Sequence, residues 1–160
     1  MEKRNLWLCG HWRRQCFMAV LIGLLMTLTV SAQNGQANKS VEQEQNGVRA
    51  AIELYFRGHA MDDASYMRKA FLSTAHIEGI REGKFTSWTL DRYCENFKGT
   101  PAKDEMSRKR TIDSIDLSGN AAMAKATLVH GSITFTDYFV LLKVDSEWKI
   151  ANKVYYGKRQ

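Results

Sequence analysis

Asp137 is the residue of this sequence whose position most clearly suggests chemistry. Because side chains of a β-strand alternate between two faces, it would share a face with Phe135, Phe139 and Leu141. A carboxylate on such an apolar face needs a partner or a raised pKa. Two interpretations stay open: a general base or ligand anchor, or a structural carboxylate paired with a helix group or a nearby cation. If no cation lies next to Asp137, replacing it with Asn would preserve the stability of the fold. If a cation is paired with Asp137, the same substitution would destabilise the protein, because it leaves the cation without its partner.

Other side chains could assist Asp137 or line a pocket around it. His76 begins a predicted strand and could bind a ligand, pair with Asp137 or cap the strand edge. Tyr55 lies on the apolar side of a predicted helix, where it would line a pocket or pack in the core. His130 adjoins a hairpin turn and is expected to face solvent. The remaining candidates for the ligand-binding wall are Trp88, Phe139 and Asn152.

Motifs of several enzyme classes are absent from the sequence. It has no HExxH, no His/Asp/Glu cluster at metal-ligand spacing, no Gly-rich phosphate loop and no GxSxG. We therefore expect no metal and no cofactor. Cys9 and Cys16 lie in the N-terminal segment, so Cys94 would stand alone without a disulfide partner in the same chain.

The N-terminal segment has the three parts of a secretory signal peptide. Basic residues come first, the uncharged apolar run Phe17–Val30 follows, and Ser31 and Ala32 precede a polar stretch. The apolar run of 14 residues is short for a spanning helix, which needs roughly 20. We predict a signal peptide over residues 1–32 and a flexible N-terminus over 33–40. The mature protein would be periplasmic or secreted, with no membrane segment.

The net charge does not indicate a nucleic-acid partner. The formal charge is +6, but +3 of it lies in residues 1–32 and would be lost with the leader. The basic run Arg108-Lys109-Arg110 has no interleaved aromatic residues and reads as a solvated entry to a strand. We therefore expect no binding to nucleic acid.

Residues 41–157 have the pattern of one α+β domain that begins with helices. Apolar residues at i, i+3, i+4, i+7 and i+8 from Val48 mark the first helix. Asp62 or Asp63 would cap a second helix, with Phe71 on its apolar side. A third helix is predicted from Thr89 to Phe97.

Six strands are predicted, and short turns fix how the last three pair. Counting outward from the two-residue turns 131–132 and 145–146 places Ala126 opposite Asp137, and Asn152 opposite Phe139. The predicted strands are His76–Arg81, Phe85–Trp88, Arg110–Leu117, Ala121–His130, Ile133–Val144 and Glu147–Tyr156.

The two faces of the last three strands differ in composition. One face would be apolar except for Asp137 and Asn152, with alanines opposite aromatic residues, which leaves room beneath a helical layer. The opposite face mixes charged with apolar side chains, and its exposed apolar area predicts a homodimer. The apolar residues of that face are Met123, Tyr138, Val140, Leu142 and Tyr155.

Three segments resemble the nuclear transport factor 2-like superfamily: AIELYFRGHAMDDASYMRKAF, SGNAAMAKATL and TDYFVLLKVDSEWKIANKVYY. The most similar subgroup is the one called "putative lumazine-binding", next to SnoaL-like proteins. The resemblance implies a cone-shaped, curved, largely antiparallel sheet around about three N-terminal helices, with a cavity whose rim holds the strand that begins at His76. In the isomerase branch a tyrosine and an acid share an oxyanion site; here a second inward acid is missing.

Three functions are compatible with these patterns. We favour an exported domain that binds a small apolar or aromatic molecule. The next alternative is a structural or interaction domain whose cavity is filled by its own side chains. The last is a cofactor-free cyclase, isomerase or dehydratase with Asp137 as acid and base, assisted by His76 or Tyr55.

Overall fold

The computed structural model describes residues 38–160. The predicted signal peptide and its cleavage site therefore lie outside the described residues. Residues 38–61 are helical (helix α1), including 38–40, which the sequence assigned to a flexible N-terminus. Residues Gln43–Gln160 form one compact unit.

Three helices cover one face of the sheet in this unit. The predicted stripe of α1 is buried, with Val48 and Ile52 fully inaccessible to solvent. Helix α2 spans Ala64–Ala70, and the side chain of Asp63 caps it by accepting from the Ser65 amide at 2.8 Å. Helix α3 spans Leu90–Cys94 and is shorter than predicted, because the chain continues in single turns with i to i+3 hydrogen bonds.

The sheet has six strands in the order β2-β1-β6-β5-β4-β3, and is mixed and curved. Strands β1 and β6 are parallel, and all other neighbours are antiparallel. This confirms the predicted α+β class. The strands are β1 Phe71–Arg81, β2 Lys84–Thr89, β3 Lys109–Ser118, β4 Ala121–His130, β5 Ile133–Val144 and β6 Glu147–Arg159.

Phe71 was assigned to the second helix and instead begins β1. Its backbone is extended, at φ −101° and ψ 154°, while its amide still bonds to the Met67 carbonyl. The predicted start of this strand at His76 was therefore five residues late. The pairing of β1 with β6 is irregular between Phe71 and His76, which hides the strand from a simple alternation pattern.

The predicted register is confirmed between β4 and β5, where Ala126 pairs with Asp137. It is wrong along most of β6. Leu141 pairs with Ile150 as predicted, but the next pair is Val140 with Asn152, so Ala151 has no partner. This β-bulge reverses the alternation of every later side chain in β6.

The bulge exchanges the two faces of β6. Asn152 is exposed and Val154 is 48% exposed, although both were predicted to face inward. Lys153, predicted to face outward, is only 5% exposed, and Tyr155 also packs on the core. A lysine therefore lies beneath the helices, on the same sheet face as Asp137.

Candidate functional site

Three buried polar side chains form the centre of the candidate site. The Tyr55 hydroxyl donates to Oδ2 of Asp137 at 2.6 Å. Nζ of Lys153 donates to the same carboxylate oxygen at 3.0 Å and to the Tyr55 hydroxyl oxygen at 2.7 Å. Tyr55 and Asp137 are each 1% exposed. The cluster joins α1, β5 and β6 through one closed set of hydrogen bonds.

The charges of this cluster balance, and burial shapes its acid–base behaviour. Burial raises the pKa of Tyr55 well above its usual value, and the negative charge of Asp137 adds to that shift. Burial also lowers the pKa of Lys153, whereas the neighbouring Asp137 opposes this shift. The tyrosine therefore stays a neutral hydroxyl that bridges a carboxylate and an amine.

A pocket of about 750 Å³ adjoins this cluster. Asp137 and Lys153 line it on one side, and aromatic rings provide much of the remaining wall. Oδ1 of Asp137 is buried and has no hydrogen-bond partner within residues 38–160. A buried carboxylate oxygen without a donor is costly, and such an atom beside a pocket is satisfied most simply by a ligand or an ordered water.

Aromatic packing shapes the wall of the pocket. The Trp88 ring is stacked with Tyr155 at an interplanar angle of 12° and with Tyr93 at 29°. The Tyr155 hydroxyl is hydrogen-bonded to Thr86 at 2.6 Å. A Cβ on Gly79 would lie 2.4 Å from the Tyr155 ring, so the absence of a side chain there lets this ring pack against β1.

Two histidines lie at another part of the wall. The rings of His59 and His130 have their centroids 5.7 Å apart, and His59 Nε2 is hydrogen-bonded to the Tyr93 hydroxyl at 2.9 Å. Burial, with the positive charge of Lys153 adding to it, holds the pKa of His59 well below its usual value. Burial, with Arg110 and Arg108 adding to it, lowers the pKa of His130 to about 4. Both rings are therefore neutral at physiological pH.

The structure brings some of the predicted site residues together and separates others. Asp137, Tyr55 and Trp88 line the pocket. Phe139 is buried behind it, with its ring centroid 5.2 Å from that of Tyr55. His76 and Asn152 are exposed and outside the pocket wall, where the Asn152 side chain accepts from the His76 amide.

Sequence reasoning missed several residues of this site. Lys153 was predicted to lie on the outer face, because the residue pattern of β6 does not show the bulge at Ala151. His130 was expected to face solvent but is half-buried in the pocket wall. His59 was not singled out, although it lies one helical turn after Tyr55. Tyr93 was predicted to lie on the apolar side of the third helix but was not assigned to the site.

Among residues 38–160, no three His, Cys, Asp or Glu side chains are grouped so that they could hold a metal ion. No helix in the same range is long and apolar enough to cross a membrane.

The fold of this chain is that of NTF2-like proteins. An NTF2-like protein of unknown function from Shewanella baltica OS155 is 29% identical, covers 74% of this chain and 96% of that chain, and has a TM-score of 0.65. A second, from Methylobacillus flagellatus KT, is 27% identical over 72% and 93% of the two chains, with a TM-score of 0.64. A third, from Silicibacter pomeroyi DSS-3, is 20% identical over 74% and 98%, with a TM-score of 0.67, and supports the fold alone.

The family described as "Putative lumazine-binding" matches residues 43–156. The chain belongs to this family, which confirms the resemblance found in its sequence. No curated protein sequence matches the chain.

Proposed function

We propose that this protein is an exported domain that binds a small planar, aromatic molecule in the pocket beside Asp137. The observation that carries the proposal is the unpartnered Oδ1 of Asp137, a buried acceptor beside a pocket with aromatic walls. A ligand N–H or O–H group would satisfy this oxygen, and its ring would pack against Trp88 and Tyr155. The 750 Å³ volume supports binding over a cavity filled by the protein's own side chains.

The chemistry of the polar cluster narrows the ligand class. Asp137 offers an acceptor, and Lys153 offers an ammonium group that can donate three hydrogen bonds, two of which go to Asp137 and Tyr55. A ring with neighbouring N–H and C=O groups would match this pair of functions. Lumazine, for which the family is named, is one such heteroaromatic molecule and is the first probe to use.

Binding can be tested by tryptophan fluorescence and thermal shift on the exported protein. We expect lumazine or a related heteroaromatic lactam to quench Trp88 and raise the melting temperature. Asp137→Asn should weaken binding at least tenfold, whereas Asp113→Asn, at an exposed carboxylate on β3, should not. If neither lumazine nor a panel of aromatic lactams and phenols binds the wild-type protein at millimolar concentration, the proposal fails.

The hydrogen bond between Tyr55 and Asp137 favours one second candidate, a cofactor-free acid–base enzyme. In such an enzyme Asp137 would move a proton of the bound molecule, and Tyr55 would support the charge that develops. Turnover of the bound molecule, lost in Asp137→Asn, would distinguish this enzyme from a binder.

Export rests on the predicted leader and has its own test. Protein recovered from the native host should begin at or near Gln33, because cleavage follows the small residues Ser31 and Ala32. Intact-mass measurement checks this. A mass that still includes residues 1–32 would contradict cleavage.

A further inference from the structure

We propose that Lys153 is a carbonyl-reactive amine, which forms a reversible imine with small aldehydes or ketones that enter the pocket. The proposal goes beyond non-covalent binding, because it assigns a covalent step to a named atom, Nζ of Lys153. It does not require the ligand of the proposed function, so either can fail while the other holds.

The first support is the position of the amine. Lys153 lines the pocket, although only 5% of the residue is exposed. Its Nζ lies 4.8 Å from the ring centroid of Tyr55 and 4.8 Å from that of Tyr155. These contacts hold the side chain within the wall, so a carbonyl compound in the pocket would meet an oriented amine rather than a mobile one.

The second support is electrostatic. Burial lowers the pKa of Lys153, while the carboxylate of Asp137 opposes that shift. A lysine in water has a pKa of about 10.4 and is almost entirely protonated at neutral pH, which makes it a poor nucleophile. A lysine that burial moves towards neutrality carries more of the reactive free amine.

The third support is the carboxylate of Asp137, which lies next to the amine and can accept its proton. In the ground state the ammonium proton is already shared with Oδ2 of Asp137, 3.0 Å away. Transfer of that proton to Asp137 frees the Lys153 lone pair, which attacks the carbonyl carbon and forms a C–N bond. As the C–N bond forms, the carbonyl π bond breaks and its oxygen becomes an alkoxide. This oxygen then takes one proton from the newly bonded nitrogen, which gives the neutral carbinolamine.

Loss of water completes imine formation. It restores the negative charge on Asp137 and the positive charge on the Lys153 nitrogen. Asp137 gives its proton to the departing hydroxyl, the C–O bond breaks, and the nitrogen lone pair forms the C=N bond. In total, an ammonium and a carbonyl become an iminium and one water. Because the iminium is again a cation beside the Asp137 carboxylate, the buried site never holds an unpaired charge.

The test is trapping with benzaldehyde and sodium cyanoborohydride at pH 7, followed by peptide mapping. Reduction converts the iminium into a stable benzyl-lysine. The exposed Lys158 in the same strand is the internal comparison. We expect Lys153 to be labelled at least tenfold faster than Lys158 in the folded wild-type protein, and this preference to disappear in urea.

Variants check that the label reports the site. Lys153→Arg should remove the fast-labelled position and Lys158→Arg should leave it. Equal labelling of Lys153 and Lys158 in folded wild-type protein, or labelling of surface lysines alone, would overturn the proposal without any variant. Lumazine binding with no Lys153 label would remove the imine proposal and leave the binding function intact.

Discussion

At the scale of single residues, the two oxygens of Asp137 have different roles. Oδ2 is held by Tyr55 and Lys153, which is the structural ion pair that the sequence left open as an alternative. Oδ1 has no hydrogen-bond partner within residues 38–160. This oxygen is the one that fits the other interpretation, a ligand anchor. A buried carboxylate can thus belong to the scaffold through one atom and to a site through the other.

Replacing Asp137 with Asn should destabilise the protein at pH 7 by about 3–5 kcal/mol, because it leaves the Lys153 charge buried without its partner. Urea unfolding measures the loss. Asp113→Asn is the matched control and should change stability by less than about 0.5 kcal/mol. The double variant Asp137→Leu/Lys153→Met should recover much of the loss. A loss below about 1 kcal/mol in Asp137→Asn would show that the pair is not buried as an ion pair.

The histidines should make the protein less stable in mild acid. The pKa of His130 falls from 6.5 to about 4 on folding, so between these values the unfolded chain binds more protons than the folded one. The free energy of unfolding is therefore unaffected by His130 above about pH 6.5, and it decreases as the pH falls towards 4. The lowered pKa of His59 acts in the same direction. The charged groups around them are Lys153, Arg108, Arg110, Asp104 and Glu105.

Urea midpoints at pH 7 and pH 5 measure this effect. His130→Gln should show a smaller decrease between the two pH values than the wild type. His76→Gln removes an exposed histidine and is the control. Identical decreases for wild type and His130→Gln would contradict a neutral, half-buried His130.

At the scale of elements, the bulge in β6 decides which side chains face the pocket. Beyond Ala151 the strand turns Lys153, Tyr155 and Gly157 inward. Two glycines accommodate the rings that result: a Cβ on Gly157 would lie 2.8 Å from Phe135, and one on Gly79 would meet Tyr155. The inward packing of these rings therefore depends on both the bulge and the two glycines.

The variant Gly79→Ala tests whether the packing of Tyr155 against β1 requires a glycine. The added methyl group would lie 2.4 Å from the Tyr155 ring and 2.5 Å from its backbone oxygen, so either the ring or the strand must move. We expect a loss of about 1–3 kcal/mol and weaker ligand binding, because the stack with Trp88 is disturbed. Ile80→Ala, at the exposed neighbouring position, should have a smaller effect. A fully stable Gly79→Ala protein with unchanged binding would contradict this close contact.

At the scale of the whole molecule, the outer sheet face exposes more apolar area than its alternation indicated. Val154 and Tyr156 are 48% and 54% exposed because the bulge turns them outward, and Tyr155 leaves this face. We propose that a second copy of the chain covers this surface about a two-fold axis. The patch spans adjacent antiparallel strands, so it can pair with itself. Its large apolar residues are Met123, Tyr138, Val140, Leu142, Val154 and Tyr156.

Light scattering at micromolar concentration should give twice the monomer mass. The double variant Tyr138→Glu/Val140→Glu should be monomeric, because it puts charges at the centre of the apolar surface. Met106→Glu changes an equally apolar residue that is 100% exposed elsewhere, and should remain dimeric. A wild type that is monomeric when both dilute and concentrated would contradict the proposal.

Periodicity, capping and turn length are properties of local sequence, and they determined most of the fold. Residue spacing predicts the buried stripe of α1, a helix cap at Asp62 or Asp63, the pairing of Ala126 with Asp137 and the inward face of Asp137. The structure then selects Asp63 as the cap. Each depends on contacts within a few residues or across a two-residue turn, so counting is sufficient.

Only the tertiary structure decided the partner of Asp137. A bulge is one unpaired residue, and its position depends on how β6 fits the curved sheet and the parallel strand β1, which no local pattern records. That single residue moved Lys153 inward and Asn152 outward, and it changed an isolated carboxylate into an ion pair beside a pocket. The sequence determined where the acid lies; the packing of the strands determined that a lysine and a tyrosine meet it.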